Sequence, residues 1–187
     1  MRLASIDIGT NSVKLLVADI EDQRIANVLR EQVVITRLGQ GVDRIHELLP
    51  EAMDRTLKVI ESFKREAEFL DAQEIIAVAT SAVRDACNRD VFIQRVMART
   101  GLKPIVISGD EEAKLTFMGT CSDPELRSRK LIIVDVGGGS SEFVLGQDGE
   151  MEDRFSVNIG CVRLTEEFMR SDPVAPDELQ RVIEYTK

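Results

Sequence analysis

Two stretches decide how this chain folds: Ser5–Leu16, SIDIGTNSVKLL, and Val134–Leu145, VDVGGGSSEFVL. Each is an apolar run ending in Asp-[Ile/Val]-Gly, followed by small polar residues, a serine and a second apolar run, which is the pattern of a strand, a tight turn and a strand. Asp7 aligns with Asp135, Gly9 with Gly137 and Ser12 with Ser140, at a constant spacing of 128 residues. That register points to a duplicated structural element.

Working outward from the first copy, Arg2–Ile8, Val13–Ile20 and a segment within Ile25–Leu38 read as three successive strands, a meander. GQGVDR breaks the pattern. Leu49, Met53, Leu57, Ile60, Phe63, Ala67 and Leu70 then recur at helical spacing across Leu48–Leu70, with charges between them. EIIAVAT reads as a short buried strand, SAVRDACN as the opening of a helix, NRDVFIQRVMARTG as a helix stopped by Gly101, and KPIVIS as a strand. SGDEEAKLTFMGTC begins with Ser108 and acids, as helix N-termini prefer. The resulting order βββαβαβα marks an α/β layered domain.

The polar stretch SDPELRSRK looks like a boundary, so residues 1–124 are expected to form the first domain and 125–187 to begin a second. Beyond it KLIIVDV, SSEFVLG and EDRFSVNIG repeat the three-strand pattern, CVRLTEEFM starts a helix, and DELQRVIEYTK is a last helical stretch. The second copy therefore reads as shorter than the first, and the chain as the front part of a longer protein. An unfinished second domain should expose core and lead to association, such as a homodimer, or to instability.

Composition narrows the possibilities. The chain has 187 residues, 43% of them hydrophobic, enough for a packed core. No apolar run approaches a membrane span and no signal peptide is visible, so a cytoplasmic setting without membrane attachment is expected. Cys87, Cys121 and Cys161 are odd in number and lack metal-ligand spacing, and read as reduced thiols. His46, the only histidine, falls in a loop-like stretch, which excludes a histidine-based triad or a His-rich metal site. The net charge is −9, without the basic stripe of a nucleic-acid binder. An anionic ligand would have to be attracted by a local site of backbone N–H groups, a few cations and a bound metal ion.

The repeated turns supply such a site. Glycine lets the backbone approach a ligand closely, tight turns present N–H groups on one side, and Thr10, Ser12, Ser140 and Ser141 add hydroxyls. Asp7 and Asp135 would repel bare phosphate and suit a hydrated divalent cation instead. The bland alternative is two glycine-rich hairpins that merely turn. No G-x-x-x-x-G-K-[ST] motif is present and GQGVDR lacks the third glycine of G-x-G-x-x-G. Thr80, Arg84 and Asn88 fall four apart, as on one face of a helix following a strand, where either a site or a solvated face fits. Read alone, Asp110, Glu111 and Glu112 look like a helix cap.

IDIGTNSVKLLV, RLGQGV, VATSAVRDACN, ISGDEEAKLTFMG, LIIVDVGGGSSEFVLG and VNIGCVRLTEEF together resemble, in this order, the Ppx/GppA family of exopolyphosphatases and guanosine pentaphosphate phosphohydrolases. The resemblance implies an actin-like ATPase (ribonuclease H-like) fold of duplicated βββα domains. It implies a first phosphate loop at Asp7, Gly9, Thr10, Asn11 and Ser12, and a second at Gly137, Gly138, Gly139 and Ser140. By the same resemblance Glu112 is the catalytic acid with Glu111 beside it, Arg84 a phosphate-contacting catalytic arginine, and Asp135 and Glu142 the residues linked to Mg²⁺. The implied reaction is release of terminal orthophosphate from inorganic polyphosphate or pppGpp. The alternative is a fragment that binds phosphate or alarmone without turnover, and an ATPase or sugar kinase is disfavoured by the SGDEEAKL block. Lys14 and Cys161 stand where other family members can carry different residues.

Overall fold

The computed structural model describes residues 1–22 and 24–187. Its first three strands, β1 (Arg2–Ile8), β2 (Ser12–Glu21) and β3 (Arg24–Ile35), form the expected antiparallel meander. Alternation along β1 and β2 sends Ala4, Ile6, Ile8, Val13, Leu15 and Val17 to one buried face. Asp7 and Lys14 consequently lie on the other. After a four-residue helix α1 (Val42–Ile45), the long helix α2 (Pro50–Phe69) covers the buried face with Met53, Leu57, Ile60, Phe63 and Ala67.

Strand β4 (Glu74–Ala79) pairs parallel with β1 on the side away from β2, and β5 (Ile105–Val106) pairs parallel with β4, giving the sheet order β3-β2-β1-β4-β5. Between them lie α3 (Ser81–Asp85) and α4 (Arg89–Thr100), the latter ended by Gly101 in the left-handed conformation. The single helical face expected for Thr80, Arg84 and Asn88 does not form. Ala86 is extended at φ −81° and ψ 130°, which ends α3 after five residues. Asn88 is instead drawn into the fold: its Nδ2 donates to the Leu48 carbonyl and its Oδ1 accepts from the Leu48 N–H. A reciprocal pair of bonds to one backbone residue outweighs continuation of the helix.

Helix α5 (Gly109–Thr120) starts with a capping box in which Ser108 Oγ accepts from the Glu111 N–H and Glu111 accepts from the Ser108 N–H. A short helix α6 (Pro124–Arg127) follows. Then β6 (Lys130–Val136), β7 (Ser141–Gln147) and β8 (Glu150–Val157) form a second antiparallel meander, succeeded by α7 (Cys161–Phe168) and α8 (Pro176–Tyr185). Although α5 precedes this second sheet, it packs on β7 and β8, with Ala113 and Phe117 against Val144. The opposite face of the sheet carries Ile132, Val134, Val136 and Phe155, which are 78%, 51%, 62% and 53% exposed. Among the described residues, no helix is long and apolar enough to cross a membrane.

Candidate active site

The two turns are closed by the same hydrogen bond. The Gly9 N–H donates to the Ser12 carbonyl at 3.0 Å, and the Gly137 N–H donates to the Ser140 carbonyl at 2.9 Å. In each copy the carbonyls inside the turn are taken up by the segment that follows the third strand. Thr36 and Arg37 donate to the Asn11 carbonyl and Gly39 to that of Thr10; Cys161 donates to the Gly137 carbonyl, and Val162 and Arg163 to that of Gly138.

Such close approach requires glycine in the following segment. A Cβ on Gly39 would stand 2.3 Å from the Thr10 methyl, and a Cβ on Gly160 2.4 Å from the Gly138 oxygen. The turns also touch each other: Gly138 and Gly139 pack against Thr10, whose hydroxyl shares a 2.7 Å hydrogen bond with Ser81.

Between the turns lies a cavity of about 510 Å³, lined among others by Asp7, Gly9, Thr10, Asn11, Ser12, Glu112, Asp135, Gly137, Gly138, Ser140 and Glu142. The structure thus gathers most of the expected site residues from strand ends and turns far apart in sequence. Two expected residues stand beside the cavity. The Gly139 carbonyl is turned to Arg163 Nε at 2.9 Å. Arg84 lines a neighbouring cavity, where its Nη1 donates to the Ile107 carbonyl at 3.0 Å and contacts Glu112 Oε2 at 3.3 Å.

The acids at the start of α5 serve three different purposes. Glu111 caps the helix, Asp110 pairs with Arg154 at 2.5 Å, and Glu112 enters the cavity. Burial and the nearby Glu142 carboxylate push the Glu112 carboxyl up to about 7, against the pull of Arg84. Glu142 is 1% exposed and accepts from Ser156 Oγ at 2.8 Å; across the β6/β7 ladder it stands opposite Asp135, which faces Thr116 Oγ1 at 3.4 Å.

Lys14 also lines the cavity and pairs with Asp7 at 3.2 Å. A hairpin closing at Gly9–Asn11 puts Asp7 opposite Lys14 by register alone, so this contact had a sequence signal. Ser81, Thr116 and Ser156 join the site from elements remote in sequence and had none.

Residues 16–187 match the Ppx/GppA phosphatase family model. The chain is 40% identical over 186 residues to Exopolyphosphatase 2 of Mycobacterium tuberculosis, covering 95% of this chain and 58% of that one. It is 32% identical over 187 residues to a guanosine-5'-triphosphate,3'-diphosphate pyrophosphatase of Vibrio vulnificus, covering 98% and 37%. The crystal structure of an exopolyphosphatase from Cytophaga hutchinsonii superposes with a TM-score of 0.89 at 32% identity, over 99% of this chain and 59% of the other. The chain therefore spans less than two thirds of the length of the relatives it matches. Its fold is the actin-like ATPase fold, with five strands in the first sheet and three in the second. On the strength of the family match across nearly its whole length, this chain belongs to the Ppx/GppA phosphatase family.

Proposed function

We propose that this chain carries the phosphate grip and the acid–base group of a Mg²⁺-dependent hydrolase that releases terminal orthophosphate from inorganic polyphosphate or pppGpp. The observation that carries the reading is the convergence of two equivalent turns and Glu112 on one cavity. Both substrates end in the same phosphoanhydride, and the names of relatives include both an exopolyphosphatase and a pyrophosphatase of the guanosine alarmone.

In this reading the backbone N–H groups of both turns, with the Thr10 and Ser12 hydroxyls, hold the terminal phosphoryl group. Arg84 holds the Glu112 carboxylate and offers its remaining guanidinium donors to phosphate oxygens. Glu112 takes a proton from water as the water oxygen bonds to phosphorus and the bridging P–O bond breaks, leaving a chain one phosphate shorter. A carboxyl that titrates near 7 is suited to that proton transfer at neutral pH. Positioning and electrostatics supply most of the catalysis in phosphoryl transfer.

The residues fit Mg²⁺ in a particular manner. Among the described residues, no group of three or more His, Cys, Asp or Glu converges as a preformed cage. Mg²⁺ is ordinarily held by one or two carboxylates together with water and phosphate oxygens, and Asp135 and Glu142 offer such a pair. The Asp7 Oδ1 atom is buried without a hydrogen-bond partner, which leaves an oxygen free for a cation or its water. Bound there, Mg²⁺ would offset phosphate charge and polarise the reacting phosphoryl group.

The test is orthophosphate release from long-chain polyphosphate and from pppGpp, with and without Mg²⁺, for this chain and for Glu112→Gln. Release that depends on both Mg²⁺ and Glu112 is the expected result, and the faster substrate identifies the preference. Undiminished release by Glu112→Gln removes Glu112 from its role. Binding of polyphosphate without release replaces the hydrolase reading with that of a phosphate-binding unit.

A further inference from the structure

The N-terminus of α7 is fastened to the second glycine turn by backbone and side chain together. The Gly137 carbonyl accepts from Cys161, the Gly138 carbonyl from Val162 and Arg163, and the Gly139 carbonyl from the Arg163 side chain through Nε at 2.9 Å. In a trans peptide the C=O of one residue and the N–H of the next point to opposite sides. Three consecutive carbonyls held toward α7 therefore turn the N–H groups of Gly138, Gly139 and Ser140 the other way. Among the described residues, none of these three N–H groups donates to a protein acceptor. Gly138 and Ser140 line the cavity, so the free donors of these two residues lie where the proposed phosphate would sit.

Two of the three carbonyls are fixed by helix backbone that any sequence would provide. The third depends on one side chain. That guanidinium does more than reach Gly139: Nη2 pairs with Asp85 at 3.0 Å, and Nη1 pairs with Asp43. Asp43 belongs to α1, and Asp85 adjoins Arg84 on α3, so Arg163 spans from the second half of the molecule to two helices of the first. Glu166, one turn further along α7, accepts from the Gly41 N–H and braces the same junction. Arg163 does not line the cavity, and its side chain is 20% exposed.

We propose that Arg163 is a positioning residue: it holds the Gly139–Ser140 peptide with its N–H directed at the anion and, through Asp85 and Asp43, fixes the second turn relative to the helix that carries Arg84. The inference rests on the phosphate-binding reading. A guanidinium suits the place because Nε, Nη1 and Nη2 spread their donors over one rigid plane and each meets a separate acceptor, whereas the donors of an ammonium all start from a single nitrogen.

The experiment is titration of tripolyphosphate into the full chain, read by calorimetry and by ¹⁵N–¹H amide shifts. One variant, Arg163→Lys, keeps the charge against Asp43 and Asp85. A second, Arg163→Met with Asp43→Asn and Asp85→Asn, removes the three charges together. Both are expected to bind about tenfold more weakly, as loss of a charge-assisted bond allows. In both, the Ser140 amide should lose most of its ligand-induced shift while the Ser12 amide keeps its own. General loosening of the fold would diminish both shifts alike, and that result overturns the proposal. Full affinity in the lysine variant or in the triple variant also overturns it, by showing that charge balance is sufficient. Absence of tripolyphosphate binding by the unsubstituted chain removes the phosphate reading and this inference with it, whereas binding unaffected by either variant removes the inference alone.

Discussion

In the first hairpin Asp7 stands opposite Lys14 and pairs with it at 3.2 Å; in the second, the equivalent cross-strand position sets Asp135 opposite Glu142. The turns are otherwise built alike, down to the glycine-to-serine hydrogen bond. Like charges directly opposite one another destabilise a sheet, and a buried carboxylate is costly unless it is paired. One hairpin thus carries its own countercharge, while the other leaves two acids facing the cavity beside a third, Glu112. The difference lies in the strands and not in the turns: the first hairpin sets a lysine against its aspartate, and the second sets two carboxylates together, an arrangement that favours a cation or a proton between them.

The strongest way to break the equivalence of the turns is to crowd the segments that hold them. An alanine at Gly160 meets the backbone of Gly138, which cannot rotate away, so α7 must move off the turn. An alanine at Gly39 meets the Thr10 methyl, a side-chain atom with some freedom to give. Displacement of a ligand-positioning group by about 1 Å can cost on the order of a hundredfold. Tripolyphosphate affinity is expected to fall by that order in Gly160→Ala and by about a tenth as much in Gly39→Ala. Equal losses, measured calorimetrically, would mean that both segments yield equally.

The charge difference is sharpened by removing it. Glu142 is the foremost charge raising Glu112, and Asp7 is a lesser one. Glu142→Gln should bring the Glu112 midpoint down from about 7 toward the ordinary carboxylate range. Lys14→Gln, which leaves Asp7 uncompensated, should move it upward and by less. Carboxyl ¹³C titration of Glu112 reads both changes without requiring turnover. A midpoint unmoved in Glu142→Gln would leave burial, with the lesser contribution of Asp7, responsible.

Local pattern made the hairpins legible, because period-two alternation and a glycine turn are written in adjacent residues. The spacing of 128 residues made their equivalence legible as well. What escaped was tertiary. The end of α3 at Ala86 depends on Asn88 finding Leu48, forty residues away, and no helical pattern records that partner. The acids Asp110, Glu111 and Glu112 look alike in a row, yet three different environments divide them among ion pair, cap and cavity. Arg163 reads as an ordinary residue of an amphipathic helix until the fold brings Gly139, Asp43 and Asp85 around it. The second sheet's partner was equally hidden, since α5 lies before it in the chain.

The smallest expected effect concerns stability, and its sign follows from Glu112 alone. The folded chain holds the Glu112 proton more tightly than the unfolded chain, because the carboxyl titrates near 7 when folded and near 4.5 otherwise. Protonation therefore favours the fold, and that favour, complete below pH 4.5, is lost as pH rises through about 7. Glutamine is neutral throughout and escapes the loss. Glu112→Gln should thus melt close to the unsubstituted chain at pH 5 and above it at pH 8. A partly exposed carboxyl that also gives up its contact with Arg84 should yield about 1–2 kcal/mol, or about 3–6 °C for a domain of this size. Differential scanning calorimetry at the two pH values measures the difference. A gap that is equal at both, or reversed, would show that Arg84 compensates Glu112 fully, and the second hairpin would then lose the uncompensated charge that separates it from the first.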